Sequence, residues 1–128
     1  MRKEEHNNAF EVHKKTIFSW AMEIQGIENS QRIIGLHASR GIIELLSEYL
    51  HSHNLVKSGF QLNHRWFKSN KIYEKLPDFE NKKFIIDSLI KLENLCEKLS
   101  YGKSKPVEDM EEVIKLFSLL EESIKNLK

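Results

Sequence analysis

Apolar residues recur along this chain at steps of three, four and seven, the spacing of helices that each bury one face. Within residues 9–25, Phe10, Ile17, Ala21 and Ile24 form one stripe with Trp20 beside it, and Gly26 is placed to cap its end. A second block opens after Asn29 or Ser30, either a suitable N-cap, and runs to about residue 51. Its apolar positions, Ile33, Ile34, Leu36, Ile42, Ile43, Leu45, Leu46, Tyr49 and Leu50, cover more than one face. Such a helix is central, or shares its surface with a second subunit. Gly35, Ala38, Ser39 and Gly41 are small enough to let another helix approach it closely. The third block covers about residues 80–100, with Phe84, Ile85, Leu89, Leu92, Leu95, Cys96 and Leu99 as its buried stripe and Tyr101-Gly102 as its stop.

The fourth block starts at Pro106, a favoured first-turn residue. Met110, Val113, Ile114, Phe117, Leu120, Ile124 and Leu127 keep one face. Glu108, Asp109, Glu111 and Glu112 crowd its N-terminal turns and Lys125 and Lys128 its other end, as the helix dipole favours. Residues 53–79 are irregular, with a short helix expected within 63–73. No alternating strand pattern, repeat or low-complexity tract interrupts this. The expectation is one all-α domain over residues 1–128, a bundle of four main helices plus a short helix in the 54–79 connection.

Composition changes this picture little. At 128 residues the chain can bury a real core without metals or disulfides, and 40% apolar with 30% charged residues is ordinary for a globular protein. A net charge of +1 means that affinity for nucleic acid must come from a local patch. Cys96 is the only cysteine, which excludes an internal disulfide and suits a reducing cytoplasm. No apolar run has the length of a signal peptide core or a membrane span, so a cytoplasmic protein with no membrane contact is expected.

The candidate chemistry lies in three places. Six histidines raise the question of a metal, but His51 and His53 are too close for one helical face and no HExxH or paired-carboxylate spacing occurs. Solvent-facing or loop histidines are expected, with no metal. No glycine-rich phosphate loop is present, and no cofactor is expected. In residues 57–75, Lys57, Arg65, Lys68, Lys71 and Lys75 face one acid, Glu74, and Phe60, Trp66, Phe67 and Tyr73 are interleaved among them. Cations for phosphates and aromatic faces for bases are what single-stranded nucleic acid requires. The competing reading has the aromatics capping the bundle and the cations lining a basic surface.

The third place is Arg32, separated by four residues from His37, the spacing of one class of metal-independent ribonucleases. A histidine can move the proton of an RNA 2′-hydroxyl, and an arginine can stabilise charge on the phosphate oxygens. Five helical positions leave the two side chains roughly 140° apart, so they meet at one phosphate only at a helix start, a bend or a dimer seam.

Residues 37–50, His-Ala-Ser-Arg-Gly-Ile-Ile-Glu-Leu-Leu-Ser-Glu-Tyr-Leu, resemble the second helix of the HEPN domain family. Residues 58–67, Ser-Gly-Phe-Gln-Leu-Asn-His-Arg-Trp-Phe, resemble the loop and short helix that follow it there. Residues 92–102, Leu-Glu-Asn-Leu-Cys-Glu-Lys-Leu-Ser-Tyr-Gly, resemble its third-helix end. The likeness runs over about residues 9–127. It implies a small helical bundle associated with prokaryotic nucleotidyltransferases and toxin–antitoxin systems. In that family an arginine, four to six residues and a histidine usually stand at the late position. Here Tyr101 takes the histidine-or-tyrosine place, while Cys96 or Glu97 replaces the arginine; Arg32 to His37 has the spacing in an earlier helix, with Ile33 where active members carry a polar residue.

The resemblance therefore implies a homodimer with a binding role towards RNA, a nucleotide or a nucleotidyltransferase partner, its catalytic motif degenerate. Arg65, Lys68, Lys71, Trp66 and Tyr101 are the expected contacts. One alternative is a toxin-type, metal-independent endoribonuclease with His37 as acid or base and Arg32 as phosphate clamp. The other is a helix–helix interaction module without nucleic-acid binding, resting on the broadly apolar second helix.

Overall fold

The first apolar stripe becomes a helix that changes its winding halfway. In the computed structural model, which describes residues 3–101 and 103–128, α1 (Lys3–Lys15) runs into a π-helical segment (Thr16–Gln25). The helix starts well before the first residue of the predicted stripe. Glu4 and Glu5 suit its positive end, and buried His6 anchors it by donating from Nδ1 to Glu44 at 2.5 Å.

The change of winding corrects one expectation. At about 4.4 residues per turn, positions four apart stay on one face while positions seven apart point to opposite sides. Ile17 and Ala21 are accordingly buried together, whereas Ile24, expected on the same stripe, is 68% exposed, and neighbouring Trp20 is 51% exposed. Gly26 ends the segment with φ of +92°, a conformation that glycine adopts without strain. After a 3-10 turn (Ile27–Asn29), the Ser30 hydroxyl reaches back to the carbonyls of Gly26 (2.7 Å), which also accepts from the Asn29 N–H (3.1 Å), and of Ala21 (3.0 Å).

The second helix, α2 (Gln31–Ser52), is the centre of the bundle and packs against α1, α4 (Lys82–Ser100) and α5 (Val107–Lys125). Most of its broad apolar circumference is therefore covered within the chain, with Leu36 left 42% exposed. Two glycines make this close packing feasible on different sides. A Cβ on Gly41 would lie 3.0 Å from the His13 Cβ and 3.2 Å from the Phe117 ring. One on Gly35 would lie 2.8 Å from the Leu99 Cβ and 2.9 Å from the Cys96 carbonyl.

The buried face of α4 extends to Ile86 and Glu93, on the side away from Phe84, which is 42% exposed rather than buried. In α5, Met110, Val113, Phe117, Leu120 and Ile124 are buried as the periodicity predicts. The 54–79 connection holds a 3-10 turn (His64–Lys68) and the single-turn α3 (Ile72–Lys75). Phe67 and Ile72 sink fully into the core, and the Lys82 ammonium binds the carbonyls of Leu76 (2.9 Å) and Tyr73 (3.1 Å). The Tyr73 hydroxyl donates to Asp87. The architecture is all-α, with no strand among the described residues. Gly102, expected at the end of the third block, lies outside those residues, and no described helix is long and apolar enough to cross a membrane.

Candidate functional site

Where Gly35 lets α2 lie against α4, the His64–Lys68 turn closes a third side and leaves a cleft of about 370 Å³. That volume falls in the range of small-ligand pockets, roughly 300–1,000 Å³. The turn is set locally by Asn63, whose side chain accepts from the Arg65 backbone N–H at 2.9 Å, and by buried Phe67 beneath it. His64 ties it to α4 by donating from Nδ1 to Glu93 Oε1 at 2.9 Å. Gln31 and Arg32 bind the carbonyls at the C-terminus of α4: Gln31 donates to Leu99 (3.2 Å) and Arg32 to Ser100 (3.3 Å).

Three cations face this cleft: Arg40 from α2 and Arg65 and Lys68 from the turn. Lys68 is held at 3.0 Å by Glu97, an exposed pair that contributes little stability but neutralises that carboxylate. The guanidinium groups of Arg40 and Arg65 are exposed and have no hydrogen-bond or ion-pair partner among the described residues. Ser39, Glu93 and Cys96, all buried, form the floor, and Tyr101, 70% exposed, stands at the rim. Burial pushes the Cys96 thiol up to about 12, against hydrogen bonds from Ser39. It stays protonated at neutral pH and packs rather than reacts.

No family model, curated protein or solved structure matches the chain.

Arg65, Lys68 and Tyr101, far apart in sequence, are brought together as expected contacts of one site. Lys71 and Trp66 are not part of it. Lys71 is exposed beyond the turn, and Trp66 is half-buried against Phe60, with the Lys75 ammonium 4.5 Å from the centre of its ring. Arg32 and His37 are not brought to one point. The Arg32 guanidinium caps α4, while His37 faces α1 and meets His13, Nδ1 to Nδ1, at 2.8 Å. Sequence reasoning missed Arg40, His64 and Glu93. Arg40 could have been found as the next exposed position after Arg32 and Leu36 along α2; Glu93 carries no such signal. A larger, more open depression of about 750 Å³ lies between the π segment and α5, but Glu108, Glu111 and Glu112 rim its apolar wall and disfavour anions.

Four of the six histidines, His6, His13, His37 and His51, line the α1–α2 seam instead of facing solvent or sitting in loops, whereas His53 is exposed and His64 sits in the connection, as expected. His6 is buried and stacks on His51, whose Nε2 donates to the Phe60 carbonyl at 3.0 Å. No group of three or more histidine, cysteine, aspartate or glutamate side chains among the described residues could hold a metal ion. In the His13–His37 pair one Nδ1 donates and the other accepts, so the bond requires at least one neutral ring. Burial lowers both pKa values from 6.5; at His13 the facing His37 and Arg40 add to this against Glu44, and at His37 Arg40 adds to it.

This has a consequence for stability. The unfolded chain takes up protons near pH 6.5, before the folded chain does, so stability is full above that pH and declines as pH falls below it. The midpoint of urea unfolding is expected to drop between pH 7.5 and pH 5.5. His37→Asn should flatten that dependence, and an equal slope in the variant would remove the pair as its source.

Proposed function

We propose that this protein binds a phosphate-bearing ligand of the RNA or nucleotide class in the cleft between α2, α4 and the His64–Lys68 turn. The observation that carries the reading is the convergence of Arg40 and Arg65, unpartnered guanidinium groups, on a cleft whose Glu97 is already neutralised. A guanidinium fork matches a phosphate in geometry as well as charge. The resemblance to HEPN domains supports it, because the late-helix place of that family falls here on Cys96, Glu97 and Tyr101, residues that line this cleft. The same place lacks the arginine, which argues for binding without cleavage there. A homodimer belongs to the proposal; Val12, Trp20 and Ile24 are more than half exposed on the first helix and are candidates for its surface.

Fluorescence anisotropy of a labelled single-stranded RNA, titrated at several salt concentrations, tests the reading. Arg40→Ala and Arg65→Ala should each weaken binding roughly tenfold. Together they should reduce the slope of log affinity against log salt by about 1.4, the share of two phosphate contacts. Affinity indifferent to salt and to both arginines would sink the proposal.

A second reading has one observation of its own. His37, kept neutral at pH 7 and paired with His13, is a competent proton acceptor, and Arg40 lies one turn away on the same helix. A metal-independent endoribonuclease built on it would cut RNA in excess EDTA, with activity lost in His37→Ala. Intact RNA with the wild type would end that reading.

A further inference from the structure

We infer that the cleft recognises a guanine nucleotide, with Glu93 reading the base while the arginines hold the phosphate. This rests on the proposed phosphate-binding role of the cleft and adds the identity of the base. Glu93 lines the cleft but is 4% exposed, and its carboxylate is only half satisfied. Oε1 accepts from His64 at 2.9 Å, while Oε2 is shut off from water and meets no donor. A buried carboxylate oxygen without a donor is costly, and such groups in folded proteins usually await a ligand or a bound water.

The missing partner must be a donor, and it must sit within reach of cations that want a phosphate. Nucleobases differ sharply in what they offer to a carboxylate. The Watson–Crick edge of guanine carries N1–H and the N2 amino group side by side, two adjacent donors with no acceptor between them. The adenine and cytosine amino groups are flanked by a ring nitrogen lone pair, and the uracil N3–H lies between two carbonyl oxygens; each of these would repel the second carboxylate oxygen. The guanine edge therefore fits Glu93 best. The terminal torsion of glutamate is broad, so a small turn of the carboxylate presents its unused lone pairs to the cleft without moving α4. His64 remains bonded to Oε1, which has a second lone pair, and holds the carboxylate in place. Tyr101 at the rim offers a ring on which the base can stack.

The test is a calorimetric titration of the 128-residue chain with 5′-GMP, 5′-IMP and 5′-AMP. IMP keeps the phosphate and N1–H of GMP but lacks its 2-amino group. GMP is expected to bind roughly tenfold more tightly than IMP, the worth of one hydrogen bond to a charged acceptor, and more tightly than AMP. Glu93→Gln, nearly the same shape, should bring GMP and IMP to equal affinity, while Arg65→Ala should weaken all three nucleotides alike. Equal binding of GMP and IMP by the wild type, with Arg65 still required, overturns the role of Glu93 and leaves the phosphate reading intact. AMP binding more tightly than GMP does the same. Failure of all three nucleotides to bind overturns the guanine-nucleotide inference, and the phosphate reading falls with it only if RNA affinity is also indifferent to salt and to both arginines. The comparison of GMP with IMP uses the wild-type chain, so it decides the matter even where Glu93→Gln perturbs the fold.

Discussion

Phe117→Ala is expected to destabilise the protein by about 3–5 kcal/mol, the range for deleting a fully enclosed aromatic ring. Phe117 has no solvent exposure and packs between Phe10, at a centroid distance of 5.9 Å, and Phe18, at 5.8 Å. On its third side the ring edge meets the gap that Gly41 leaves in α2. Neighbours from the first helix and α2 cannot all collapse into the space vacated, so the cost includes a cavity as well as lost transfer energy. Native stabilities are about 5–15 kcal/mol, so a large part of the total is at stake. Thermal melting should show a fall of roughly 10–20 °C. A loss below about 1 kcal/mol would mean that the ring is not enclosed as described. Phe117→Leu, which keeps most of the volume, should recover more than half of the loss.

Gly35→Val should be nearly as damaging, at about 3 kcal/mol, for the opposite reason. The added Cβ meets the Leu99 Cβ at 2.8 Å and the Cys96 carbonyl at 2.9 Å. Neither is the free end of a flexible side chain, so α2 and α4 must part. The gain in helix propensity over glycine, a few tenths of a kcal/mol, does not offset this. Because Gly35 also borders the cleft, the binding proposed there should weaken as stability falls, which separates this variant from Phe117→Ala. Gly59→Ala is the control: nothing lies within 4 Å of its added Cβ, and a change within about 0.5 kcal/mol is expected. Equal melting temperatures for Gly35→Val and wild type would contradict the close approach of the two helices.

The number and order of the main helices were legible in local pattern alone. In α5, the stripe from Met110 to Ile124, the preceding Pro106 and the acidic first turn all agree, and the helix forms where they say. The many apolar faces of α2 announced a central helix, and the structure places it against three others. These features are legible because period and capping are local: a residue and its neighbours within a few turns decide them.

Tertiary structure decided the rest. Ile24 turned outward because the π winding alters the face seven residues on, a change that a stripe of 3.6 period cannot register. His6 and His37 looked like surface residues because their partners, Glu44 for His6 and His13 for His37, are separated from them by 38 and 24 positions. The cleft is the clearest case. Arg65 and Lys68 stood out as charges in a basic segment, but Arg40 and Glu93 join them only when α2, α4 and the His64–Lys68 turn meet. Helices are written by short-range periodicity, whereas a site is written by which helix faces are left to meet each other once the core has closed. That second pattern depends on packing at Gly35 and Gly41, where the absence of a side chain sets how close the helices come.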